Sequence, residues 1–279
     1  VQQMQGQVNA YQGQYNAAVQ ALNNCRAGHG PLSVIDIRGR FLAADNQPGS
    51  GPLSLYFHLP FCETRCWFCG CNTVITRRRE AAGEYLDDLE RELDLVTQLM
   101  RTDRTVAQIH FGGGTPTFLS KEEISHLIDS VRQRFKLLPD GEYSIEVDPR
   151  TVRTERLQNL QALGFNRLSF GVQDFEPAVQ KAVHRLQPAE QVFDLVAASR
   201  DIGFESVNVD LIYGLPMQSQ KTFARTLQQV CKLRPDRIAL YAYAHLPERF
   251  KPQRRIDAHQ LPSGADKVGM LSDALAVLM

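Results

Sequence analysis

From Leu53 onward, short β-rich runs alternate with stretches whose apolar residues keep a helical spacing. The runs predict strands at Ser54–His58, Gln108–Phe111, Tyr143–Val147, Arg167–Phe170, Ser206–Ile212 and Arg237–Tyr241. Between them, Leu86, Leu89, Leu93, Val96 and Met100 recur at three- and four-residue steps, one face of a helix. Ser120-Lys-Glu-Glu123 has the form of a capping box, opening a helix with Ile124, Leu127, Ile128, Val131 and Phe135 on its apolar side. Leu157, Leu160 and Leu163 run into a stop at Gly164; Val192, Val196 and Ser199 run toward Gly203; Phe223, Leu227 and Val230 form the last stripe. Strand and helix in strict alternation imply right-handed parallel connections.

Six such units could build a doubly wound sheet or an incomplete barrel, and the special residues choose between them. A cysteine loop follows the first strand, Gly112-Gly-Gly-Thr-Pro116 the second, and Glu146-Val-Asp-Pro-Arg150 closes the third. Gly171-Val-Gln-Asp174 follows the fourth, Asp210 with Tyr213-Gly-Leu-Pro216 lies on the fifth, and Ala244-His-Leu-Pro247 follows the sixth. A doubly wound sheet gathers its chemistry at one switch point. A barrel brings every strand end to one mouth. The expected fold is therefore α/β, a partial (β/α)6 barrel whose lateral slot would admit a substrate larger than a sugar phosphate. Residues 51–260 form this core, 261–279 begin a helical region, and 1–50 form a poorly specified lead-in. That lead-in has seven Gln in its first twenty residues and room for one short helix around Tyr15–Cys25.

Four of the six cysteines fall at Cys62, Cys66, Cys69 and Cys71, a C-x3-C-x2-C-x-C run. A loop carrying Cys62, Cys66 and Cys69 can turn three thiolates toward an iron–sulfur cluster and leave one iron without a protein ligand. In radical enzymes S-adenosylmethionine (SAM) chelates such an open iron. A structural zinc site would draw on a second ligand pair farther along, and none follows. Cys71 can be a spare thiol, an exchangeable ligand or a substrate-side group. Cys25 and Cys231 read as ordinary thiols.

The composition narrows the setting. Lys+Arg and Asp+Glu stand at 31 each, which gives no electrostatic case for nucleic acid or an anionic membrane. No apolar run approaches the roughly 18 residues of a membrane span. A soluble cytoplasmic protein is expected, in reducing conditions that suit thiolate ligands.

At the strand ends, Gly112, Gly113 and Gly114 let backbone approach a ligand with no Cβ in the way; the bland alternative is a tight turn. Glu146 and Asp148 share a strand face and could hold ribose hydroxyls or an ammonium group, or simply pair with Arg150 or Arg167. Asp210 sits in an otherwise apolar strand, where an unpaired carboxylate is costly and needs a partner or ligand. His58, at the rim beside the cysteine loop, is either structural or a substrate-binding or proton-donating group. Tyr56 points to the same side. Phe61, Trp67 and Phe68 would shield the cluster.

Taken together, Tyr56-x-His-x-Pro-Phe-Cys62, the cysteine run, His110-Phe-Gly-Gly-Gly-Thr-Pro-Thr117, Ser144-Ile-Glu-Val-Asp-Pro-Arg150, Asn166-Arg-Leu-Ser-x-Gly-Val-Gln-Asp-Phe175, Asp210-Leu-Ile-Tyr-Gly-Leu-Pro216 and Tyr243-Ala-His-Leu-Pro247 resemble the radical SAM superfamily. More narrowly they resemble oxygen-independent coproporphyrinogen III oxidases, from about Pro52 to Met279. The resemblance implies oxidative decarboxylation of two propionates of coproporphyrinogen III, giving protoporphyrinogen IX in haem biosynthesis. It implies a [4Fe-4S] cluster on Cys62, Cys66 and Cys69, a 5′-deoxyadenosyl radical from SAM, and two SAM molecules. Tyr56, Gly112 and Glu146 would contact the first SAM, and Phe68, Gly113, Thr115, Gln173, Arg185, Asp210 and Ala244 would surround the second. A small flavin-type electron donor is the expected reductant and a monomer the expected state. A haem chaperone or haem-modifying relative, or a zinc-bound module without enzymatic activity, are the alternatives. Residues 1–50 do not look like the family's N-terminal arm, and its helical C-terminal domain would begin where this chain ends. The chain is accordingly expected to be an incomplete catalytic unit.

Overall fold

Every second residue of the central strands is apolar and sealed, and the residues between are polar or glycine. Val106, Ile109, Phe111, Ile145, Val147, Leu168, Phe170, Val207, Val209 and Leu211 are each 2% exposed or less. His110, Ser144, Glu146, Ser169, Asn208 and Asp210 alternate with them and stay partly open. A parallel strand buried on both faces reads as a continuous apolar run. These strands therefore have one face built for a core and one built for something else.

The computed structural model describes residues 51–99 and 103–278; the lead-in with its expected helix at Tyr15–Cys25, and Met100, lie outside the described residues. The six expected strands all form: β1 (Leu53–Leu59), β4 (Thr105–Gly113), β5 (Lys136–Val147), β6 (Arg167–Gln173), β7 (Ser206–Tyr213) and β8 (Arg237–Ala242). Two short strands were not foreseen, β2 (Phe61–Cys62) and β3 (Val74–Ile75). The helices are α1 (Glu80–Thr97), α2 (Lys121–Arg134), α3 (Thr154–Ala162), α4 (Pro177–Ala182), α5 (Ala189–Ile202), α6 (Gln220–Leu233) and α7 (Gly264–Leu278). The strands and the site they carry belong to one compact unit, residues 51–94 and 102–279.

The large sheet is parallel throughout and runs β1-β4-β5-β6-β7-β8, in chain order from edge to edge. A doubly wound sheet reverses direction at a switch point; this one never does, so it curls one way. Its first and last strands do not pair, which leaves a half-barrel with a polar concave side.

The helices end where local chemistry says they should. Ser120 and Glu123 make both bonds of the capping box that opens α2, and Ser219 with Thr222 does the same for α6. Past the ends of α3 and α5, Gly164 and Gly203 take φ of +97° and +100°, which glycine adopts without a Cβ penalty. Leu157, Leu160, Val192, Val196, Phe223, Leu227 and Val230 are at most 1% exposed, so the predicted stripes are the faces that cover the sheet.

Candidate functional site

Register carries the polar residues across the concave face in slanting rows. Tyr56, His110, Ser144 and Arg167 are Cα partners across β1, β4, β5 and β6. Glu146, Ser169, Asn208 and Arg237 are partners across β5 to β8, and Gly171, Asp210 and Ala239 across β6 to β8. Lower in the barrel, Glu142 pairs with Arg167 and Arg237 and accepts a bond from Gln108.

The cysteine loop leaves β1 through Pro60 and is clamped before it begins. Phe61–Cys62 pairs in parallel with Val74–Ile75, and Thr76 N donates to Cys62 O at 3.0 Å. The glycine run latches onto the same point: Gly114 N donates to Leu59 O at 2.9 Å and Thr115 N to Phe61 O at 2.7 Å. Farther round, Trp67 N donates to Val183 O at 3.0 Å and Gln253 Nε2 to Phe68 O at 3.0 Å. Trp67 and Phe68 pack against a cluster that includes Val183, Tyr243 and Ile256. The loop is thus positioned by three segments distant in sequence.

Its sulfurs are free and differ in surroundings. Cys66 is buried, and its Sγ receives Nη2 of Arg150 and Nη1 of Arg185, each at 3.4 Å. Two guanidiniums at one sulfur balance negative charge there. Burial pushes the Cys62 thiol up, partly opposed by its contact with Thr115 Oγ1 at 3.4 Å, and negative charge on Cys69 and Cys66 raises it further. A hydrogen bond from Cys71 is the main influence that brings Cys69 down to about 6, while the same bond and burial push Cys71 up. Cys71 and Cys69 thus lie within hydrogen-bonding reach of each other.

Asp148 and Glu146, two residues apart, part company. Asp148, just beyond β5, accepts from Arg150 at 2.6 Å and from Arg185 at 3.2 Å. Burial raises its carboxyl, but Arg185 and Arg150 outweigh that and hold it below the ordinary carboxylate range. Arg150 is the partner anticipated from sequence; Arg167 instead serves Glu142. Arg185 also donates to Gly171 O at 2.6 Å, and its buried Nε has no partner among the described residues. Gln173, at φ +67° beside a register shift, sits against Gly171, where a Cβ would come within 3.0 Å of both Gln173 Nε2 and Arg185 Nη2.

Glu146 stays on the concave face. It accepts from Gly113 N at 3.1 Å and lies 3.2 Å from His110 Nε2; His110 Nδ1 meets Ser144 Oγ at 2.6 Å. Tyr56 stacks on His110 with centroids 5.7 Å apart. A Cβ at Gly112 would lie 2.8 Å from Glu146 Oε1, 2.9 Å from the Tyr56 ring and 3.0 Å from His110 Nε2. The missing side chain lets those three groups close up. Gly113 serves otherwise, with φ +115° and the His58 ring 2.8 Å from where a Cβ would stand. At Gly114 a Cβ would meet the Pro60 and Phe61 backbone at 2.7 Å, so this glycine is required by the cysteine loop itself.

His58 Nε2 lies 2.8 Å from the carbonyl of Asn72, which can only accept. Nε2 therefore carries the proton, and Nδ1 accepts from the Tyr56 hydroxyl at 3.1 Å. The histidine ties the sheet to the far side of the cysteine loop. Asp210 Oδ1 accepts from Asn208 Nδ2 at 2.8 Å and Ser169 Oγ at 3.2 Å. Burial, then the charge of Glu146, raises its carboxyl to about 6. The Ala244 carbonyl accepts from Gln253 at 3.2 Å, which fixes the chain after β8.

His110, Ser144, Ser169, Asn208 and Arg150 were not singled out from sequence as site residues. Four of them leave a signal: each precedes an inward Gly112, Glu146, Gly171 or Asp210 by two positions, the strand period.

Among the described residues no three His, Cys, Asp or Glu side chains converge on a single-ion position. Cys62, Cys66 and Cys69 are three free thiols on one short loop, a donor set that would suit an iron–sulfur cluster. The buried Arg185 and the partly buried Arg150 both reach the Cys66 sulfur, which suits an anionic centre.

The chain belongs to the radical SAM superfamily, whose family model matches residues 56–230. Within it, the chain is similar to oxygen-independent coproporphyrinogen III oxidases. It is 48% identical over 229 residues to that of Pseudomonas aeruginosa, covering 81% of this chain and 50% of the relative. It is 49% identical over 238 residues to that of Salmonella typhimurium, covering 85% and 52%. The solved coproporphyrinogen III oxidase of Escherichia coli superposes with a TM-score of 0.82 at 48% identity, over 86% of this chain and 55% of that one. The chain spans about half the length of the curated relatives it matches.

Proposed function

We propose that this chain carries the catalytic core of an oxygen-independent coproporphyrinogen III oxidase. The observation that carries the reading is the placement of three free thiols and two guanidiniums, that of Arg185 buried and that of Arg150 partly so, beside a polar concave sheet face. Identity of 48–49% to such oxidases along the same residues supports it.

In this reading Cys62, Cys66 and Cys69 hold a [4Fe-4S] cluster. The Gly112–Gly113 backbone, Glu146 and Asp210, with Tyr56 beside them, hold SAM. When bound, cluster and SAM would supply the hydrogen-atom abstraction at a propionate β-carbon that precedes its oxidative decarboxylation. The chain's own contribution is to fix donors and acceptors in advance, since a site already organised spends nothing on reorganisation during reaction. His58, held by Asn72 and Tyr56, keeps the loop in register with the sheet and presents the Tyr56 ring to the cavity. A carboxylated porphyrinogen substrate, a small flavin-type reductant, a monomeric state and a cytoplasmic setting belong to the same reading. No described helix is long and apolar enough to cross a membrane.

The test is an anaerobic assay of the complete polypeptide with coproporphyrinogen III, SAM and a reductant, read by mass for vinyl products. Product loss in Cys66→Ala is expected. Tight haem binding with no vinyl product would replace the proposal with a haem-handling role. Reconstitution that yields no iron–sulfur chromophore would end it altogether.

A further inference from the structure

The outer surface of the cysteine loop is ringed by cations that no carboxylate neutralises. Three segments make it, residues 64–70, 181–184 and 244–256. They are joined by the Trp67–Val183 and Gln253–Phe68 bonds, by His184 Nδ1 at 3.1 Å from Arg65 O, and by Phe250, 3.1 Å from where a Gly70 Cβ would stand. On them Arg65, Lys181, Arg249, Lys251, Arg254 and Arg255 are exposed, and none is in an ion pair among the described residues. Glu248 is the one acidic residue in those segments, on a chain whose formal charge is zero. Several cations elsewhere are paired with carboxylates, as in Arg79–Glu63, Arg134–Asp94 and Arg225–Glu176, whereas these six, on three joined segments, are not. The concentration here is therefore local.

Its centre is aromatic. Trp67 stacks on His184 with centroids 5.3 Å apart and planes 12° apart, and the Arg255 guanidinium lies 5.9 Å over the same ring. Trp67 directly follows Cys66 in the chain and precedes Cys69 by two residues, so the patch and the sulfurs share one short loop.

We propose that this surface docks an acidic electron-donor protein and delivers its electron to the cluster through the loop at Trp67. The proposal rests on the reading that Cys62, Cys66 and Cys69 hold a cluster. A concentrated cationic field raises the encounter rate of an anionic partner and is weakened by salt, with steering factors of about 10 to 1,000. The reaction is a one-electron transfer: the reduced donor is oxidised and the cluster reduced, with no bond made or broken.

The probe is reduced flavodoxin, with dithionite as the small-molecule control, acting on the complete, anaerobically reconstituted polypeptide. In the triple variant Arg65→Gln/Lys251→Gln/Arg254→Gln, cluster reduction by flavodoxin should slow at least about tenfold at low ionic strength. The gap should close as salt rises, while reduction by dithionite and SAM affinity stay at parental values. Lys251→Glu alone, at a solvent-facing position, should slow the flavodoxin reaction in the same direction if the triple variant folds poorly. Equal flavodoxin rates in parent and variants would overturn the proposal and leave the cluster assignment intact. So would a raised KM for the porphyrinogen at unchanged flavodoxin rate, which would give the patch to the substrate's carboxylates. A parent chain with no dithionite-reducible cluster would overturn the cofactor reading, and this surface's role with it.

Discussion

Replacing Asp210 with asparagine should stabilise the protein in the absence of SAM and weaken it as a SAM receptor. The native carboxylate is half-buried within the field of Glu146, and desolvation and that charge raise it to about 6 against an ordinary value of 3.8. A raised acid favours the folded state below the unfolded pKa and loses that advantage as pH climbs through the folded one. The window is therefore about pH 4 to 6. A rise of that size corresponds to at most about 3 kcal/mol, and solvent reaching the concave face brings the expectation to about 1–2 kcal/mol. Asparagine keeps an oxygen to accept from Asn208 and Ser169 and removes the charge. The variant should thus match the parent near pH 4, gain through pH 6, and hold that gain at pH 8. Urea unfolding across pH measures it, as the difference between variant and parent. With saturating SAM the order should reverse, because ligand stabilisation grows with affinity and Asp210→Asn gives some of that up. A variant less stable than the parent at pH 8 without SAM, with a difference flat in pH, would refute the argument and make Asp210 a structural residue.

Gly112→Ala should abolish measurable SAM binding and cost about 1–3 kcal/mol of stability, because its Cβ would meet Glu146, Tyr56 and His110 within about 3 Å; isothermal titration with circular dichroism reads both. Cys62→Ala, Cys66→Ala and Cys69→Ala should each lose the cluster, whereas Cys71→Ala should retain it, with iron per chain as the readout. Equal iron loss in all four would make Cys71 a ligand. Asp148→Asn should lower stability by about 3–5 kcal/mol, since it weakens the pairing of two guanidiniums, one of them deeply buried. That deficit should shrink at acid pH, where the parent's depressed carboxyl also becomes protonated. A deficit unchanged by pH would show that the ion pairs contribute little.

The chain's linear order carried a great deal of this. A strand's side chains alternate by two and a helix's by roughly 3.6, so local sequence reported all six long strands, the capping box at Ser120 and the helix stops at Gly164 and Gly203. The cysteine spacing is likewise a local property, because the three thiols share one loop. The short strand pair at Cys62 and Ile75 left no such trace, since two residues cannot establish a period.

Partner choice was decided in three dimensions. Whether Arg150 or Arg167 would neutralise an acid of the third strand was open in sequence; register sends Arg167 to Glu142 and the turn after β5 sends Arg150 to Asp148. Arg185 reaches Cys66 across 119 positions, and Gln253 reaches Phe68 across 185. The Gly112-Gly-Gly114 run reads as one motif, yet folding divides it into a gap for Glu146 and His110, a positive φ against His58, and a seat for Pro60. The reason is physical: periodicity states which way a side chain points. What it meets there depends on strand register and sheet curl, which exist only once remote segments have paired.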